Sequence, residues 1–90
     1  MSSYSLPQGI NIKCFSDGTV VYDDTSGDTH KLDTATGCIL NYIEATPATF
    51  NCLQKHMESE LPEVSSDQIV DFLDKSLKLL LDNKIIIEVD

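Results

Sequence analysis

The first third of the chain alternates apolar and polar residues with the two-residue period of a β-strand. Residues 10–14 read Ile-Asn-Ile-Lys-Cys, which predicts a half-buried strand with Ile10, Ile12 and Cys14 directed inward. A second strand is predicted over 19–23, because its β-branched and aromatic residues fit a pleated, half-buried surface. A Ser-Asp-Gly turn signal separates the two segments.

The third predicted strand, Thr29–Leu32, follows a turn at 24–27 in which Gly27 is best suited to a positive φ. Its short, polar and charged sequence is typical of a strand at the edge of a sheet. The three strands therefore predict an antiparallel meander whose last strand leaves backbone groups unpaired.

At Asp33 the apolar period changes to that of an α-helix, which Asp33 or Thr34 caps. Gly37 costs this helix about 1 kcal/mol relative to alanine, which indicates close packing at that position. The apolar positions of the helix are Ala35, Cys38, Ile39, Tyr42 and Ile43.

Two further helices are predicted. The second has Thr46 as its N-cap and Pro47 as its first residue, where the missing N–H is harmless. The third runs from Ser65 or Ser66 to about Asp82, with Asn83 as a left-handed C-cap.

The third helix carries apolar residues on more than one face. At about 100° per residue, Phe72 and Leu79 lie near 300° and 280° from Ile69, with Ser76 and Lys75 beside them. These side chains cover either the sheet or a partner. The predicted core face, between about 0° and 120°, contains Ile69, Leu80, Leu73, Leu77, Val70 and Leu81.

The order of these elements predicts an α+β, winged-helix-like fold, in which a three-stranded antiparallel sheet is followed by three helices. We expect a single domain over residues 1–90, with 1–9 as a flexible lead-in. The run 85–87 is a short β-prone segment that either pairs with the sheet or packs under it.

The net charge of −9 arises from 15 acidic and 6 basic residues, none of them arginine. A nucleic-acid-binding protein needs clustered cations to neutralise phosphates. An anionic membrane repels a protein whose net charge is negative. We therefore expect no nucleic acid and no membrane as partner, and a basic peptide or enzyme surface is favoured.

Cysteines and histidines give no catalytic or metal-binding signature. Cys14, Cys38 and Cys52 lack zinc-finger spacing and are expected to be buried, reduced thiols of a cytoplasmic protein without a signal peptide. Cys52 and His56 share one helix face, but a single nearby lysine does not make a reactive thiol site. We expect no cofactor, no metal and no enzymatic activity.

Acyl carriers and strand-adding peptide binders are two further alternatives for a small acidic chain. An acyl carrier presents a modified serine at a helix start, whereas Ser76 lies in the middle of a helix. A strand-adding peptide binder needs an unpaired edge beside an apolar surface. The third strand offers the edge, and Phe72 and Leu79 offer the surface unless they pack on the protein's own sheet or on a second copy.

From about Leu6 to Glu88 the chain resembles the PqqD-like family, the precursor-peptide recognition elements of ribosomally made, modified peptides. The resemblance rests on four segments, which are the strand 20–23, the Ser-Gly-Asp-Thr-His-Lys-Leu-Asp run at 26–33, the helix 37–43, and the helix 69–81 with the following isoleucines. The run at 26–33 is similar to a branch found near kinases related to the HPr kinase.

This resemblance implies a non-catalytic chaperone that holds a leader peptide as an added strand and presents it to a peptide-modifying enzyme. Carried over by position, the peptide-binding residues are Thr29, His30, Lys31, Leu32, Phe72, Lys75, Ser76 and Leu79. The alternative is a winged-helix interaction or regulatory protein that forms a homodimer through its sheet edge.

Overall fold

The computed structural model describes residues 2–89, which form two small antiparallel sheets and three helices. This arrangement confirms the predicted α+β class with a three-stranded sheet followed by three helices. The elements are β1 (Ser3–Ser5), β2 (Ile10–Phe15), β3 (Gly18–Asp23), β4 (Thr29–Leu32), α1 (Thr34–Ala45), α2 (Phe50–Glu60), α3 (Ser66–Asp82) and β5 (Ile87–Val89).

The predicted meander is present, with strand order β2-β3-β4 and antiparallel pairing throughout. Gly27 has a φ of +80° in the β3–β4 turn, as its position predicted. The carboxylate of Asp23 accepts hydrogen bonds from the Thr25 hydroxyl at 2.6 Å and the Thr25 N–H at 3.0 Å. These bonds hold the pKa of the Asp23 carboxyl below its usual value and fix the start of the turn.

Part of the predicted lead-in over residues 1–9 forms a strand, Ser3–Ser5, and the flexibility expected of this segment stays a prediction. Ser3–Ser5 pairs with Ile87–Val89 as a second sheet, and Met1 lies outside the described residues. Tyr4 also exchanges two backbone hydrogen bonds with Ala48, of 2.7 and 3.1 Å. The strand at Ser3–Ser5 therefore depends on partners far away in the chain, and no local sequence pattern indicates this pairing.

Helix α1 begins where predicted, because the Asp33 carboxylate accepts the Thr36 N–H at 2.7 Å. Gly37 faces the sheet so closely that a Cβ at this position would overlap the side chain of Thr19. The buried face of α1 is therefore turned from the predicted one and consists of Thr36, Gly37, Ile39, Leu40 and Ile43.

Helix α2 begins three residues later than predicted. Thr49 is its N-cap and accepts the Cys52 N–H at 3.3 Å, whereas Thr46 is the C-cap of α1. The residues between them are used by the bridge to Tyr4, which holds buried Ala48 in an extended segment. This tertiary contact overrides the local Thr-Pro signal.

Helix α3 begins at a Ser65 cap and ends at Asp82, as predicted, but its left-handed residue is Lys84 with φ +59° and not Asn83. The Ile85 N–H donates to the Leu80 carbonyl at 2.9 Å, and the Lys84 N–H donates to the Leu81 carbonyl at 3.0 Å. This is the Schellman arrangement, in which the residue after the cap takes the positive φ.

One apolar core joins the three helices to the inner face of the meander. Ile85 and Ile86, which follow α3, are buried in this core, and the next residue begins β5. The buried apolar residues are Val21, Ile39, Leu40, Ile43, Ala48, Leu53, Met57, Ile69, Leu73, Leu77, Leu80, Ile85 and Ile86.

The expectation of buried thiols is wrong. Cys14 and Cys52 are exposed, Cys38 is half-buried, and all three are free. Cys14 lies near the end of the edge strand β2, in which only Ile10 and Ile12 are partly buried. Its sulfur accepts a hydrogen bond from the Asn41 amide at 3.0 Å.

Because Gly37 approaches Thr19 closely, we predict that replacing this helical glycine by alanine destabilises the protein. An alanine in a helix interior normally stabilises by about 1 kcal/mol relative to glycine. Because the added methyl group meets Thr19, we expect Gly37→Ala to lower the free energy of unfolding by about 1–3 kcal/mol instead, measured by urea denaturation. The loss should be smaller in a Thr19→Ala background, and a stabilised Gly37→Ala protein would contradict the close approach.

The left-handed residue after α3 predicts a stabilising change. A non-glycine residue in this region of φ and ψ is strained, so Lys84→Gly should raise the free energy of unfolding by about 1 kcal/mol. Lys84→Ala is the matched control, because it removes the same side chain and keeps the strain. Equal stabilities of the two variants would show that the backbone at this position is not strained.

Candidate functional site

The first component of the candidate site is the free edge of β4. One side of β4 pairs with β3, and within residues 2–89 no strand pairs with its other side. His30 lies opposite Val21 and Leu32 lies opposite Thr19, so these two residues point toward the helices. Thr29 and Lys31 are exposed and point to the outer face of the sheet. The four residues predicted from the sequence therefore divide between two faces.

The second component is a row of side chains on α3, which we call the α3 stripe and define as Gln68, Phe72, Lys75 and Leu79. These residues are spaced at i, i+4, i+7 and i+11 and therefore lie on one face of the helix. Leu79 is 50% exposed and Phe72 is half-buried against the core. The prediction that Phe72 and Leu79 lie outside the core face of the third helix is therefore supported most clearly at Leu79.

The assignment of Ser76 to the binding surface is corrected by its burial. Ser76 is only 7% exposed, and it lies on the buried face of α3 with Leu73, Leu77 and Leu80. Val70, predicted to belong to the core face, is 38% exposed. The core face is therefore rotated toward Ser76, because α3 is covered by α2 on one side and leaves its Val70 side open.

A cavity lies at one end of the α3 stripe, next to the point where β4 leads into α1. Its volume is about 330 Å³, and its lining is mainly apolar. Phe72 and Ala35, which is three residues after the end of β4, both line it. The complete lining is Ala35, Leu61, Val64, Gln68, Ile69, Asp71 and Phe72.

A second cavity, of about 530 Å³, lies where the β3–β4 turn approaches the end of α3. Asp23 at the end of β3 and Thr25 in the turn line it, together with Leu81 of α3 and Lys84, which follows the helix. The first half of α3 thus shares a cavity with a residue after β4, and its end shares one with the turn before β4, so the two elements run in opposite directions. The α3 stripe thus extends from the end of β4 back toward its beginning.

Electrostatics at the stripe are dominated by one ion pair. The Lys75 ammonium lies 3.0 Å from an Asp71 carboxylate oxygen, one turn earlier on α3. Both side chains are largely exposed, so the pair contributes little to stability. Asp71 also lines the first cavity, where its charge adds to the net charge of −9 and favours a basic group in a bound segment.

Sequence reasoning missed the contributions of Gln68, Leu61 and Val64 to this site. Gln68 lies at about 260° on the helix, between Lys75 and Phe72, so the same angular argument contains its position. Leu61 and Val64 come from the α2–α3 connection, and only the packing of that loop brings them to Phe72. No signal in the sequence indicates that contact.

The Cys52–His56 pair is not assembled as a catalytic unit. The His56 ring packs against the Tyr42 ring with centroids 4.5 Å apart, and no hydrogen bond joins Cys52 to His56 within the described chain. Hydrogen bonding with the side chain and backbone of Thr49 lowers the pKa of the exposed Cys52 thiol, with a smaller contribution from Lys55.

Among residues 2–89, no group of three or more His, Cys, Asp or Glu side chains is placed to hold a metal ion. The helices in this range also include none with the length and apolar character needed to cross a bilayer.

Known proteins offer no external guide to the function of this chain. Comparison with protein-family models, with curated proteins and with solved structures gives no match.

Proposed function

We propose that this protein is a non-catalytic peptide-binding chaperone that holds an extended segment of a precursor peptide as an added strand on β4. The proposal is carried by the free edge of β4 together with the exposed α3 stripe, whose Phe72 shares a cavity with Ala35, three residues after β4. In this mode of recognition, backbone hydrogen bonds supply affinity and neighbouring side-chain pockets supply selectivity. The bound leader segment is then available to a peptide-modifying enzyme, as the PqqD-like resemblance implies.

The arrangement of charges and apolar groups supports the same proposal. Leu79 is half exposed, whereas Leu73, Leu77 and Leu80 of the same helix are buried, and Phe72 borders an open apolar cavity. A strand lying between β4 and α3 would cover both side chains. The acidic surface, including Asp71, favours a leader segment that carries lysine or arginine.

A reducing, cytoplasmic setting belongs to the proposal as well. All three cysteines are free, and two of them are exposed. Disulfides form and persist in oxidising compartments, whereas exposed thiols remain reduced in the cytosol.

The first test is a titration of ¹⁵N-labelled protein with synthetic leader segments of candidate precursor peptides, followed by amide NMR shifts. We expect the largest shifts at 29–32 on β4 and at 68–79 on α3, because a guest strand contacts both. Saturating binding with shifts confined to other surfaces would overturn the proposed site.

A solution mass measurement separates this proposal from the homodimer alternative. A monomer leaves the β4 edge open for a peptide. An obligate dimer in which amide exchange at 29–32 is protected would assign the edge to a second copy, and the guest-strand proposal would be wrong.

Truncation of the α3 stripe should weaken peptide binding more than it weakens the fold. Burial of a leucine side chain contributes about 1.5–3 kcal/mol, so Leu79→Ala should weaken the Kd about tenfold or more. Because Leu79 is half exposed, the Tm of the Leu79→Ala protein should differ little from that of the unmodified protein. Phe72→Ala should weaken the Kd similarly and cost some stability, since Phe72 also packs on the core.

Val70→Ala is the matched control for these truncations. Val70 is an exposed aliphatic residue on a different face of the same helix, so the peptide Kd should stay unchanged. Equal effects of Leu79→Ala and Val70→Ala on the Kd, measured by calorimetry, would exclude the stripe as the selective surface. Unfolding of Leu79→Ala would place this residue in the core.

A further inference from the structure

The outer face of the meander, opposite the helices, carries a second surface with different chemistry. Thr19 and Val21 are buried toward α1, so Val20 and Tyr22 between and after them point outward. Strand pairing then defines two outward rows. They are Lys13–Val20–Lys31 and Asn11–Tyr22–Thr29, which together we call the outer sheet face.

The charge of the outer sheet face is opposite to that of the chain as a whole. It holds two of the six basic residues, Lys13 and Lys31, on either side of Val20. None of the 15 acidic residues occupies an outward position on β2, β3 or β4. The nearest ones in sequence are Asp23, which follows Tyr22 on β3 and pairs with inward-facing Ile10, and Asp28, which precedes Thr29 in the β3–β4 turn.

Neither lysine of this face is neutralised by the described part of the chain. The ion pair found within residues 2–89 joins Lys75 to Asp71 on α3 and involves neither Lys13 nor Lys31. Both lysines are exposed. A cation that has no carboxylate within its own fold retains its capacity to pair with one from another molecule.

Apolar and aromatic surface accompanies the two lysines. A depression of about 400 Å³ on this face is lined by Asn11, Lys13, Val20, Tyr22 and Thr29. Tyr22 is 44% exposed, and Phe15 at the end of the same strand pair is 54% exposed. Tyrosine and phenylalanine are enriched at protein interfaces, because they bury a large area while losing few rotamers.

We propose that the outer sheet face binds an acidic segment of a partner protein. Carboxylates of that segment pair with Lys13 and Lys31, and an apolar side chain between them packs on Val20 and beside Tyr22. The spacing fits this pattern, since the two lysines flank one apolar residue in a single cross-strand row. This surface shares Thr29 and Lys31 of β4 with the predicted peptide-binding residues, but it lies on the face of the sheet opposite the helices and does not depend on the guest strand.

Electrostatics disfavours three other occupants of the outer sheet face, which are a second copy of the chain, a nucleic acid and an anionic membrane. A two-fold contact between two copies would place lysines opposite lysines or near them, which is unfavourable. Nucleic acids and anionic lipids present extended arrays of negative charge, and binding to them requires more clustered cations than two.

The test uses a capped synthetic heptapeptide, EEELEEE, as the acidic probe and its neutral counterpart QQQLQQQ as the comparison. Both are titrated into ¹⁵N-labelled protein at low salt, with amide shifts as readout. We expect EEELEEE to shift residues 11–13, 20–22 and 29–31, and to bind more weakly as salt rises. QQQLQQQ should bind about tenfold or more weakly, because it retains the leucine and lacks the charges.

Charge-reversal variants locate the binding. Lys13→Glu with Lys31→Glu should reduce EEELEEE affinity about tenfold or more, with an unchanged circular dichroism spectrum. The matched control is Lys55→Glu with Lys78→Glu, which changes the net charge equally on α2 and α3. Its affinity should fall much less.

Several outcomes would overturn the assignment. Equal losses in both double variants would mean that net charge governs binding and that the outer sheet face does not. Self-association in sedimentation experiments that depends on Lys13 and Lys31 would assign the face to a second copy. Co-sedimentation with phosphatidylserine vesicles, in the absence of peptide binding, would assign it to an anionic membrane.

Discussion

The close approach of α1 to β3 fixes the distance between the helical layer and the meander. Gly37 permits it, since the position of its missing Cβ is occupied by the Thr19 side chain. Once this contact is made, Ile39, Leu40 and Ile43 of α1 enter the core together with Val21 of β3. The inner face of the sheet is thereby closed, and within residues 2–89 its outer face and the outer edges of β2 and β4 are left as the open surfaces of the strand layer.

The candidate groove follows from this packing. Only Asp33 separates β4 from α1, so the position of α1 determines where the β4 edge ends. Helix α3 packs on α2 and buries Leu73, Ser76, Leu77 and Leu80, which directs the α3 stripe away from the core. The strand edge and the helix stripe are thus two consequences of the same core, and a guest segment would use surfaces that folding leaves uncovered.

The distribution of charge gives the molecule two unlike surfaces. Lys13 and Lys31 stand on the outer sheet face with no acidic residue at an outward strand position, whereas α3 carries four aspartates against two lysines. Electrostatic complementarity mainly controls association rates and the choice of partner. A basic leader segment at the groove and an acidic partner segment at the outer sheet face would therefore bind at the same time without competing for charge.

Residue type, spacing and turn chemistry were sufficient to predict the elements whose signals are local. These include the meander, the close packing at Gly37 and the exposed position of Leu79. For the caps of α1 and α3 the sequence left two adjacent residues each, and the structure uses Asp33 and Ser65. The pairing of β1 with β5, the shift of the α2 cap to Thr49 and the burial of Ser76 required the folded structure. Each of these depends on segments far apart in the chain, or on which helix covers which face. A pattern read along one segment contains no information about the neighbour that will pack on it.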